Sequence, residues 1–326
     1  MRIFAMHGSE LLGKSVANAS EADLAAHEER EFTGGEHKAR PLVSVRGEAV
    51  YVIHSLNGTP ASSVNDKLCR LLFFIAACRQ NGAKHVTAIV PYLAYSRKDR
   101  QTKARDPVTT RYIATLFEAV GTDRVITLDV HNVAAFQNAF RCETVHLSAK
   151  RLFCRAIGQA AGASQVTVFS PDGGGIKRAQ LVRELFEAET GASAGFGFME
   201  KRRSRGKVSG DLFAGDVEGH AVFIVDDMIE SGGTMLRAAE ACRDRGARSV
   251  HVIATHGLLG PGSQNLLQSS LLTGIVLTDS VSCAGETARA YPDAAISILP
   301  VGPLIADAVR LLDAGEPISS LLGMED

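Results

Sequence analysis

The chain has 326 residues, which corresponds to about two domains at roughly 150 residues per domain. Its 35 Lys and Arg residues nearly balance its 36 Asp and Glu residues. The formal net charge of −1 argues against a general nucleic-acid binder, so any anion site must come from local clustering. With 45% hydrophobic and 22% charged residues, the composition is globular and excludes disordered, collagen-like and disulfide-scaffold proteins.

No segment of the sequence has the character of a membrane anchor. The longest strongly apolar stretch, Leu71–Cys78, is far shorter than the ~20 residues that a membrane-spanning helix needs. The opening MRIFAMHGSE has no apolar run long enough for a secretory signal. The six cysteines never form a CxxC motif and have no paired histidines nearby, which argues against a zinc site and fits reduced thiols. We therefore expect a cytoplasmic protein with no membrane partner.

Hydrophobic periodicity predicts strands and helices in alternation along the chain. Short apolar runs predict strands at Val50–Ser55, Val86–Val90, Val125–Leu128, Val166–Ser170, Ala221–Val225 and Val250–Thr255. Apolar residues at helical spacing predict helices at Asn65–Gln80, Pro107–Val120, Leu147–Ala161, Ile176–Glu189 and Thr234–Arg245. This alternation is typical of an α/β fold with mostly parallel sheets and helices on both faces.

The two halves of the chain share a local pattern. In each, a helix ends in Gly-Ala and a basic residue, and a strand and then an aromatic residue or histidine follow, as in GAKHVTAIVPY and GARSVHVIATH. We interpret the chain as two related α/β domains, residues 1–148 and 149–326, with the closing residues able to pack back on the first domain. Ligands of open α/β sheets bind beyond the carboxyl ends of the strands, so we expect the chemistry in the loops that follow strands.

The strongest single motif is VFIVDDMIESGGT, which spans Val222–Thr234. Its predicted strand ends at two adjacent carboxylates, and a Gly- and Ser-containing turn then leads into a helix. Backbone N–H groups, hydroxyls and the positive end of a helix dipole suit a phosphomonoester. The carboxylates suit a vicinal diol or a hydrated magnesium ion. A tight turn with Thr234 as N-cap is the alternative for the Gly-Gly-Thr alone, but the carboxylates after the strand favour ligand binding.

Four further features concentrate polar residues beyond predicted strands. The loop Arg97–Arg105 carries five basic residues against Asp99, and is either a solvated charged loop or a basic lid over a polyphosphate. His131 is either structural or a ligand. The sequence DGGG at residues 172–175 combines a carboxylate with a glycine anion nest. The segment EKRRSRGK, Glu200–Lys207, is a surface turn, a nucleic-acid patch that the net charge disfavours, or a cationic site for phosphate oxygens.

Taken in chain order, the segments YSRKDRQTKARDPVTTR, TLDVHNVAAFQNAF, SPDGGGIKRA, KRR and VFIVDDMIESGGT resemble the motifs of the ribose-phosphate pyrophosphokinase (phosphoribosyl-diphosphate synthetase) family. The resemblance extends from Phe32 to the closing ISSLL. It implies two related phosphoribosyltransferase-type domains, each a mostly parallel sheet flanked by helices. It also implies transfer of the diphosphoryl group of ATP to the anomeric hydroxyl of ribose 5-phosphate, giving phosphoribosyl diphosphate and AMP for nucleotide biosynthesis.

The resemblance also assigns roles to residues at matching positions. It implies ATP binding by Phe32, Glu36, Arg97, Lys98 and His131; catalysis by Arg97, Arg100, Lys201 and Arg203; a pyrophosphate loop at Asp172, Gly173, Gly174 and Gly175; a ribose-phosphate site at Asp226, Asp227, Glu230, Ser231, Gly232, Gly233 and Thr234; and Mg²⁺ ligation by His131 and Asp172. It further implies a homo-oligomer, either a hexamer or a dimer, and no nucleic-acid partner.

The chain departs from the family pattern at four positions. Gly34 stands where the family has Asp, Lys98 where it usually has Gln, Gly173 where Ala is more usual, and Leu322 where the tail ends in Phe.

Two alternatives remain open: a phosphoribosyltransferase, which consumes the diphosphate and would not need the second α/β half, and a non-catalytic homologue that regulates a true synthetase. The chain lacks GxxxxGK[ST] and the protein-kinase loop signatures, so its ATP site is of neither type.

Overall fold

Short apolar runs of the chain form the buried strands of two mostly parallel sheets, each in its own unit. The computed structural model describes the backbone of residues 1–204 and 207–322, and the side chains of these ranges except residues 201–211. The first unit comprises residues 1–148, residues 280–282 and the chain from Pro300 onward. The second comprises residues 149–279 and 283–299.

The first unit is built around a parallel sheet and a separate hairpin. Within residues 1–148 its elements are β1 (Arg2–Ala5), α1 (Glu10–Ala19), β2 (His27–Glu31), β3 (His37–Pro41), β4 (Ala49–Ile53), α2 (Val64–Gln80), β5 (His85–Ile89), α3 (Thr109–Ala119), β6 (Arg124–Leu128), α4 (Val133–Ala139) and β7 (Glu143–Leu147). The parallel sheet has the order β1-β4-β5-β6-β7. The hairpin pairs β2 with β3 in antiparallel register.

The second unit carries a larger, mixed sheet. Its described elements are α5 (Lys150–Ala161), β8 (Val166–Ser170), α6 (Ile176–Thr190), β9 (Ala194–Ser204), β10 (Lys207–Ala214), β11 (Ala221–Ile229), α7 (Gly233–Asp244), β12 (Ser249–Gly257), α8 (Gln264–Leu267), β13 (Gly274–Thr278), α9 (Ser282–Ala290) and β14 (Ile296–Leu299). The strand order is β10-β9-β8-β11-β12-β13-β14, and the pair β9–β10 is antiparallel. Two helices of the first unit follow, α10 (Gly302–Ala314) and α11 (Ser319–Leu322).

The central strands are continuous apolar runs because both of their faces are buried. In β4, Val50, Val52 and Ile53 have no exposed surface, and neither do Val222–Val225 in β11. The predicted α/β class, with mostly parallel sheets flanked by helices, is confirmed.

None of the described helices is long and apolar enough to cross a lipid bilayer.

Two predicted elements differ from the structure in a way that matters. The helix predicted to begin at Leu147 begins at Lys150, because Leu147 pairs with Leu128 as the last residue of β7. The strand predicted to end at Val225 runs on to Ile229, since its backbone keeps pairing with β12. Every other predicted element agrees with the structure to within two residues at each end.

Several elements escaped prediction because their sequences lack a strong period. The hairpin β2–β3 is polar, HEERE and HKARP, and the strands β9 and β10 include the basic segment EKRRSRGK, for which the sequence predicts no strand. The described residues of EKRRSRGK therefore lie on two antiparallel strands, and its residues 205 and 206 lie outside the described chain.

The helix α10 packs closely on α1 within the first unit. Their approach requires glycine at the first position of α10. A Cβ atom added to Gly302 would lie 2.0 Å from the Ser15 Oγ, 2.6 Å from its Cβ and 3.0 Å from its carbonyl carbon. A change of the Ser15 rotamer would relieve only the first of these contacts.

We predict that Gly302→Ala destabilises the protein by about 1–3 kcal/mol, because the two helices must separate to admit the methyl group. Gly158→Ala in α5 is the matched control: no atom lies within 4 Å of its added Cβ, and it should stabilise the protein by roughly 0.4–1 kcal/mol. Thermal and urea unfolding midpoints of both variants provide the measurement. A Gly302→Ala protein as stable as the wild type would show that the α1–α10 contact is not tight.

Candidate active site

The two adjacent carboxylates of the strongest motif lie inside β11 and not in the loop after it. Asp226 pairs in register with Ala254 of β12, so its backbone position is fixed by the sheet. The Asp227 side chain is 3% exposed and the Asp226 side chain 19%. The Asp227 N–H donates to the Asp226 Oδ1 at 2.8 Å, which fixes the orientation of the first carboxylate.

Arg178 holds both carboxylates with one nitrogen. Its Nη1 lies 2.9 Å from the Asp226 Oδ1 and 3.5 Å from the Asp227 Oδ1. Burial, and then the negative charge of Asp227, raise the pKa of Asp226 well above its ordinary value, and Arg178 opposes this shift.

Sequence reasoning missed the role of Arg178, although one signal was available. Arg178 is the third residue of α6, in the first turn, where the helix dipole disfavours a cation. A basic residue at that position indicates a nearby negative partner.

The turn after β11 is shaped for close approach to the start of α7. Gly232 has φ +75°, and a Cβ atom there would lie 2.8 Å from the Leu266 Cβ, so both conformation and packing require glycine. Two backbone hydrogen bonds stabilise the turn. The Leu259 N–H donates to the Ile229 carbonyl at 3.0 Å, and the Gly260 N–H donates to the Glu230 carbonyl at 2.9 Å.

Among the described side chains, none caps the N-terminus of α7 with a hydrogen bond. Gly233 is exposed, and Thr234 is half-buried at the second position of the helix. The first N–H groups of any helix lack a backbone acceptor within it. With Ser231 exposed at the same turn, N–H and hydroxyl donors converge at this helix start.

The DGGG loop between β8 and α6 is closed by its own aspartate. The Asp172 Oδ1 accepts from the N–H groups of Gly174 (2.9 Å) and Gly175 (3.1 Å), and the Ser170 hydroxyl donates to the Asp172 carbonyl at 2.7 Å. A Cβ atom on Gly173 would make an ordinary contact of 3.4 Å with Glu200, so this position accepts alanine as well as glycine.

The basic loop of the first unit lies between β5 and α3 and is tied at both ends. The Thr110 hydroxyl donates to the carbonyls of Tyr95 and Lys98, each at 3.1 Å. Farther along, Asp106 accepts from the hydroxyl and N–H of Thr102 and from the N–H of Lys103. The side chains of Arg97, Lys98 and Arg100 are exposed.

His131 lies beside this loop in the turn after β6. The next residue, Asn132, accepts from the Ala135 N–H at 3.1 Å as the N-cap of α4, and its Nδ2 donates to the Asp99 Oδ2 at 2.7 Å. Asp129 has φ +39° and accepts from the Ser148 hydroxyl at 2.7 Å. The Asn132–Asp99 hydrogen bond therefore brings the His131 turn and the basic loop together within the first unit.

The FTGGE segment forms the turn of the β2–β3 hairpin. Phe32 is 42% exposed, its N–H donates to the Glu36 carbonyl at 2.8 Å, and the Arg30 guanidinium lies 5.1 Å from its ring centroid. The positive φ of the turn falls on Gly35, at +84°, and not on Gly34. No atom of the described residues lies within 4 Å of a Cβ atom added to Gly34.

The remaining two predicted catalytic residues lie on β9, where Lys201 pairs with Asp211 and Arg203 with Val208 in antiparallel register. Their side chains lie outside the described part of the structure. In the second unit, Arg178 links the DGGG loop to the carboxylate pair. It is the third residue of α6, the helix that follows this loop, and it contacts Asp226.

Comparison with known proteins finds relatives that align with nearly the full length of the chain. Residues 1–121 match the N-terminal domain of ribose phosphate pyrophosphokinase, and residues 204–323 match the phosphoribosyl synthetase-associated domain. The ribose-phosphate pyrophosphokinase of Hyphomonas neptunium is 33% identical over 323 residues, 98% of this chain and 99% of its own. Ribose-phosphate pyrophosphokinase 2 of Enterococcus faecalis is 32% identical over 98% of this chain and 95% of its own.

The crystal structure of phosphoribosylpyrophosphate synthetase from Mycobacterium smegmatis superposes with a TM-score of 0.84 at 29% identity, covering 96% of this chain and 99% of that one. This match confirms two phosphoribosyltransferase-type domains, each with a mostly parallel sheet. Relatives that are more than 30% identical align with nearly the whole length of this chain. The chain therefore belongs to the ribose-phosphate pyrophosphokinase family.

Proposed function

We propose that this protein transfers the diphosphoryl group of ATP to the anomeric hydroxyl of ribose 5-phosphate, giving phosphoribosyl diphosphate and AMP for nucleotide biosynthesis. The observation that carries the proposal is the arrangement of polar groups in residues 226–234. Two carboxylates near the end of a central strand are followed, one turn later, by a helix start that no described side chain caps and that has exposed donors.

This segment has the two halves that a sugar phosphate requires. The N–H groups of Gly233 and Thr234, the hydroxyls of Ser231 and Thr234, and the dipole of α7 suit the phosphate. Asp226 and Asp227 suit the ring hydroxyls, because carboxylates accept from neighbouring O–H groups. We assign Glu230, Gly232 and Gly233 to the same site, as parts of the turn that sets its shape.

For ATP we propose a site in the first unit. Arg97, Lys98 and Arg100 are exposed on one loop beside His131, a suitable set for polyphosphate oxygens. Phe32 offers an exposed aromatic face for the base, and Glu36 lies at the other end of the same turn. We further propose that Lys201 and Arg203 stabilise the transferring group.

The residues also fit a magnesium ion. Asp172 uses one carboxylate oxygen for its own loop, and no described residue donates to the other, so an oxygen ligand of the kind that Mg²⁺ prefers is available. We propose Asp172 in the second unit and His131 in the first unit each as a ligand of Mg²⁺, and Gly173–Gly175 as the loop that receives the pyrophosphate. A bound Mg²⁺ would neutralise charge on the phosphate oxygens.

The reaction then needs positioning more than a covalent intermediate. The sugar hydroxyl attacks the β-phosphorus of ATP, and negative charge grows on the phosphate oxygens while AMP leaves. Fixed cations and N–H groups that meet this charge lower the barrier. Each residue proposed here serves binding, orientation or charge stabilisation.

We propose a cytoplasmic location and a homo-oligomeric assembly, either a hexamer or a dimer. Six free cysteines are consistent with a reducing compartment. The assembly rests on family membership, and sedimentation of the purified protein measures it.

The decisive experiment supplies Mg-ATP and ribose 5-phosphate and measures AMP and phosphoribosyl diphosphate together. Equal amounts of both are expected. Consumption of added phosphoribosyl diphosphate with a base, without release of AMP from ATP, would identify a phosphoribosyltransferase. Gly34 and Lys98 are the residues that keep the other alternative, a non-catalytic homologue, open, and formation of neither product by a folded protein would support it.

Gly34 generates a prediction about nucleotide selectivity. Without an acceptor side chain at this position, we expect looser discrimination between ATP and GTP, because a pocket without a paired polar group rejects an analogue only weakly. Gly34→Asp should raise the ratio of kcat/KM for ATP to that for GTP. The backbone tolerates the change, since Gly34 has no positive φ and open space around its Cβ position.

Gly34→Ala is the matched control for that variant, because it adds the Cβ atom without an acceptor. It should leave the ATP-to-GTP ratio unaltered. A wild-type protein that already prefers ATP strongly, with no change in Gly34→Asp, would mean that another group reads the adenine.

A second prediction concerns the phosphate half of the sugar site. Thr234→Ala removes a hydroxyl donor to the phosphate, and the loss of a charge-assisted hydrogen bond of about 1.5–3 kcal/mol should raise the KM for ribose 5-phosphate roughly tenfold or more. The KM for ATP should change little. Thr115→Ala, at an exposed position whose hydroxyl donates only to its own helix, is the control. Unchanged affinity for ribose 5-phosphate in a folded Thr234→Ala protein would contradict the assignment.

A further inference from the structure

Three side chains that the proposed reaction does not use converge near the start of the first unit. His7 lies in the turn between β1 and α1, and His27 and Glu29 lie on β2. One potential ligand atom from each residue lies within 4.8 Å of the other two. The sequence gives no motif for this group, because the two histidines lie 20 positions apart in the chain.

The geometry is that of a metal site with nitrogen and oxygen ligands. The His27 Nε2 lies 3.0 Å from the Glu29 Oε1, and the His7 Nδ1 lies 3.9 Å from the same oxygen. Metal–ligand bonds of ~2.0–2.2 Å at tetrahedral angles place neighbouring ligand atoms about 3.3–3.6 Å apart. The two observed distances lie on either side of that range, so ion binding requires the exposed His7 to move closer to Glu29 and His27 to move slightly away from it.

The carboxylate supplies a second, independent observation. Glu29 has a 1% exposed side chain, and its Oε2 is a buried atom with no hydrogen-bond partner among the described residues. The Oε1 already accepts from the His7 N–H at 2.7 Å and contacts His27. A buried carboxylate oxygen without a partner is unfavourable, and a cation bound to the carboxylate would compensate it.

Packing holds two of the three ligands in place before any ion binds. The His27 ring meets the rings of Phe74 and Phe4 edge-on, with centroids 5.5 and 6.2 Å away. Glu29 is fixed by its buried position and its hydrogen bond from the His7 backbone. His7 is 61% exposed, so it can adjust and leaves an open face where solvent can complete the coordination.

We propose that His7, His27 and Glu29 bind a divalent transition-metal ion, with Zn²⁺ as the reference ion. Two imidazoles and one carboxylate suit zinc, cobalt or nickel better than magnesium, which prefers oxygen ligands. The bound ion would join the end of β1 to β2, and so would fix the hairpin whose turn carries Phe32. The site is separate from the residues proposed for catalysis, and its test needs neither ATP nor ribose 5-phosphate.

The test is titration of the metal-free, full-length protein with Zn²⁺ by calorimetry, and with Co²⁺ by visible absorption, without substrates. We expect a single ion per chain, and a thermal midpoint that rises with the metal. His7→Ala should weaken binding roughly tenfold or more and abolish the rise in midpoint. Because His7 is exposed, this variant should fold normally. Glu29→Gln, which keeps the side-chain size, should weaken binding similarly.

Two histidine variants serve as controls. His85→Ala removes an exposed imidazole elsewhere in the first unit, and His131→Ala removes the proposed magnesium ligand. Both should leave Zn²⁺ affinity unchanged. The proposal is overturned if the wild type binds no ion, if His7→Ala binds as tightly as the wild type, or if His131→Ala alone loses the ion. The last result would place the zinc at the substrate site.

Discussion

The contact of Arg178 with Asp226 and Asp227 is the interaction on which the second unit's site depends. Two adjacent carboxylates near the end of a buried strand repel each other and lose hydration, and both effects oppose ionisation. One guanidinium nitrogen at 2.9 and 3.5 Å from their oxygens supplies the opposing charge. Without it the pKa of Asp226 would rise further, and a protonated carboxyl group is a weaker acceptor for sugar hydroxyls.

The fold places Arg178 within reach through a tight connection. β8 pairs directly with β11, so the helix that follows β8 begins close to the carboxyl end of β11. Gly175 makes that start possible: a Cβ atom there would lie 2.7 Å from the Ser170 Oγ. The same loop turns the Asp172 carboxylate onto the Gly174 and Gly175 N–H groups. A single glycine connection thus sets both the proposed pyrophosphate loop and the counter-charge of the carboxylate pair.

Much of this could be predicted from sequence, because parallel strands carry their polar loops at one edge. The apolar runs located the strands, and the motifs after them located the loops. The extent of β11 could not be predicted, since Asp226 and Asp227 are poor strand residues and only pairing with β12 holds them there. Likewise Leu147 fits a helical pattern, and its pairing with Leu128 decides otherwise.

Contacts between residues far apart in the chain could not be predicted from the sequence for a different reason. Arg178 reaches Asp226 across 48 positions, and Asn132 reaches Asp99 across 33. His7, His27 and Glu29 come together because β2 lies near the end of β1. No hydrophobic period in the sequence predicts that proximity. Glycine roles are similar: the sequence FTGGE does not say which of Gly34 and Gly35 takes the positive φ.

The most direct measurement of the central claim is the pH dependence of ribose 5-phosphate binding in Arg178→Met. Loss of the cation should raise the pKa of Asp226 further, so more of the pair is protonated at neutral pH. Affinity for ribose 5-phosphate should fall there, recover only at higher pH than in the wild type, and leave the KM for ATP unchanged. Arg183→Met, on the same helix but paired with Glu187, is the control. A pH profile for Arg178→Met that coincides with that of Arg183→Met would contradict the account.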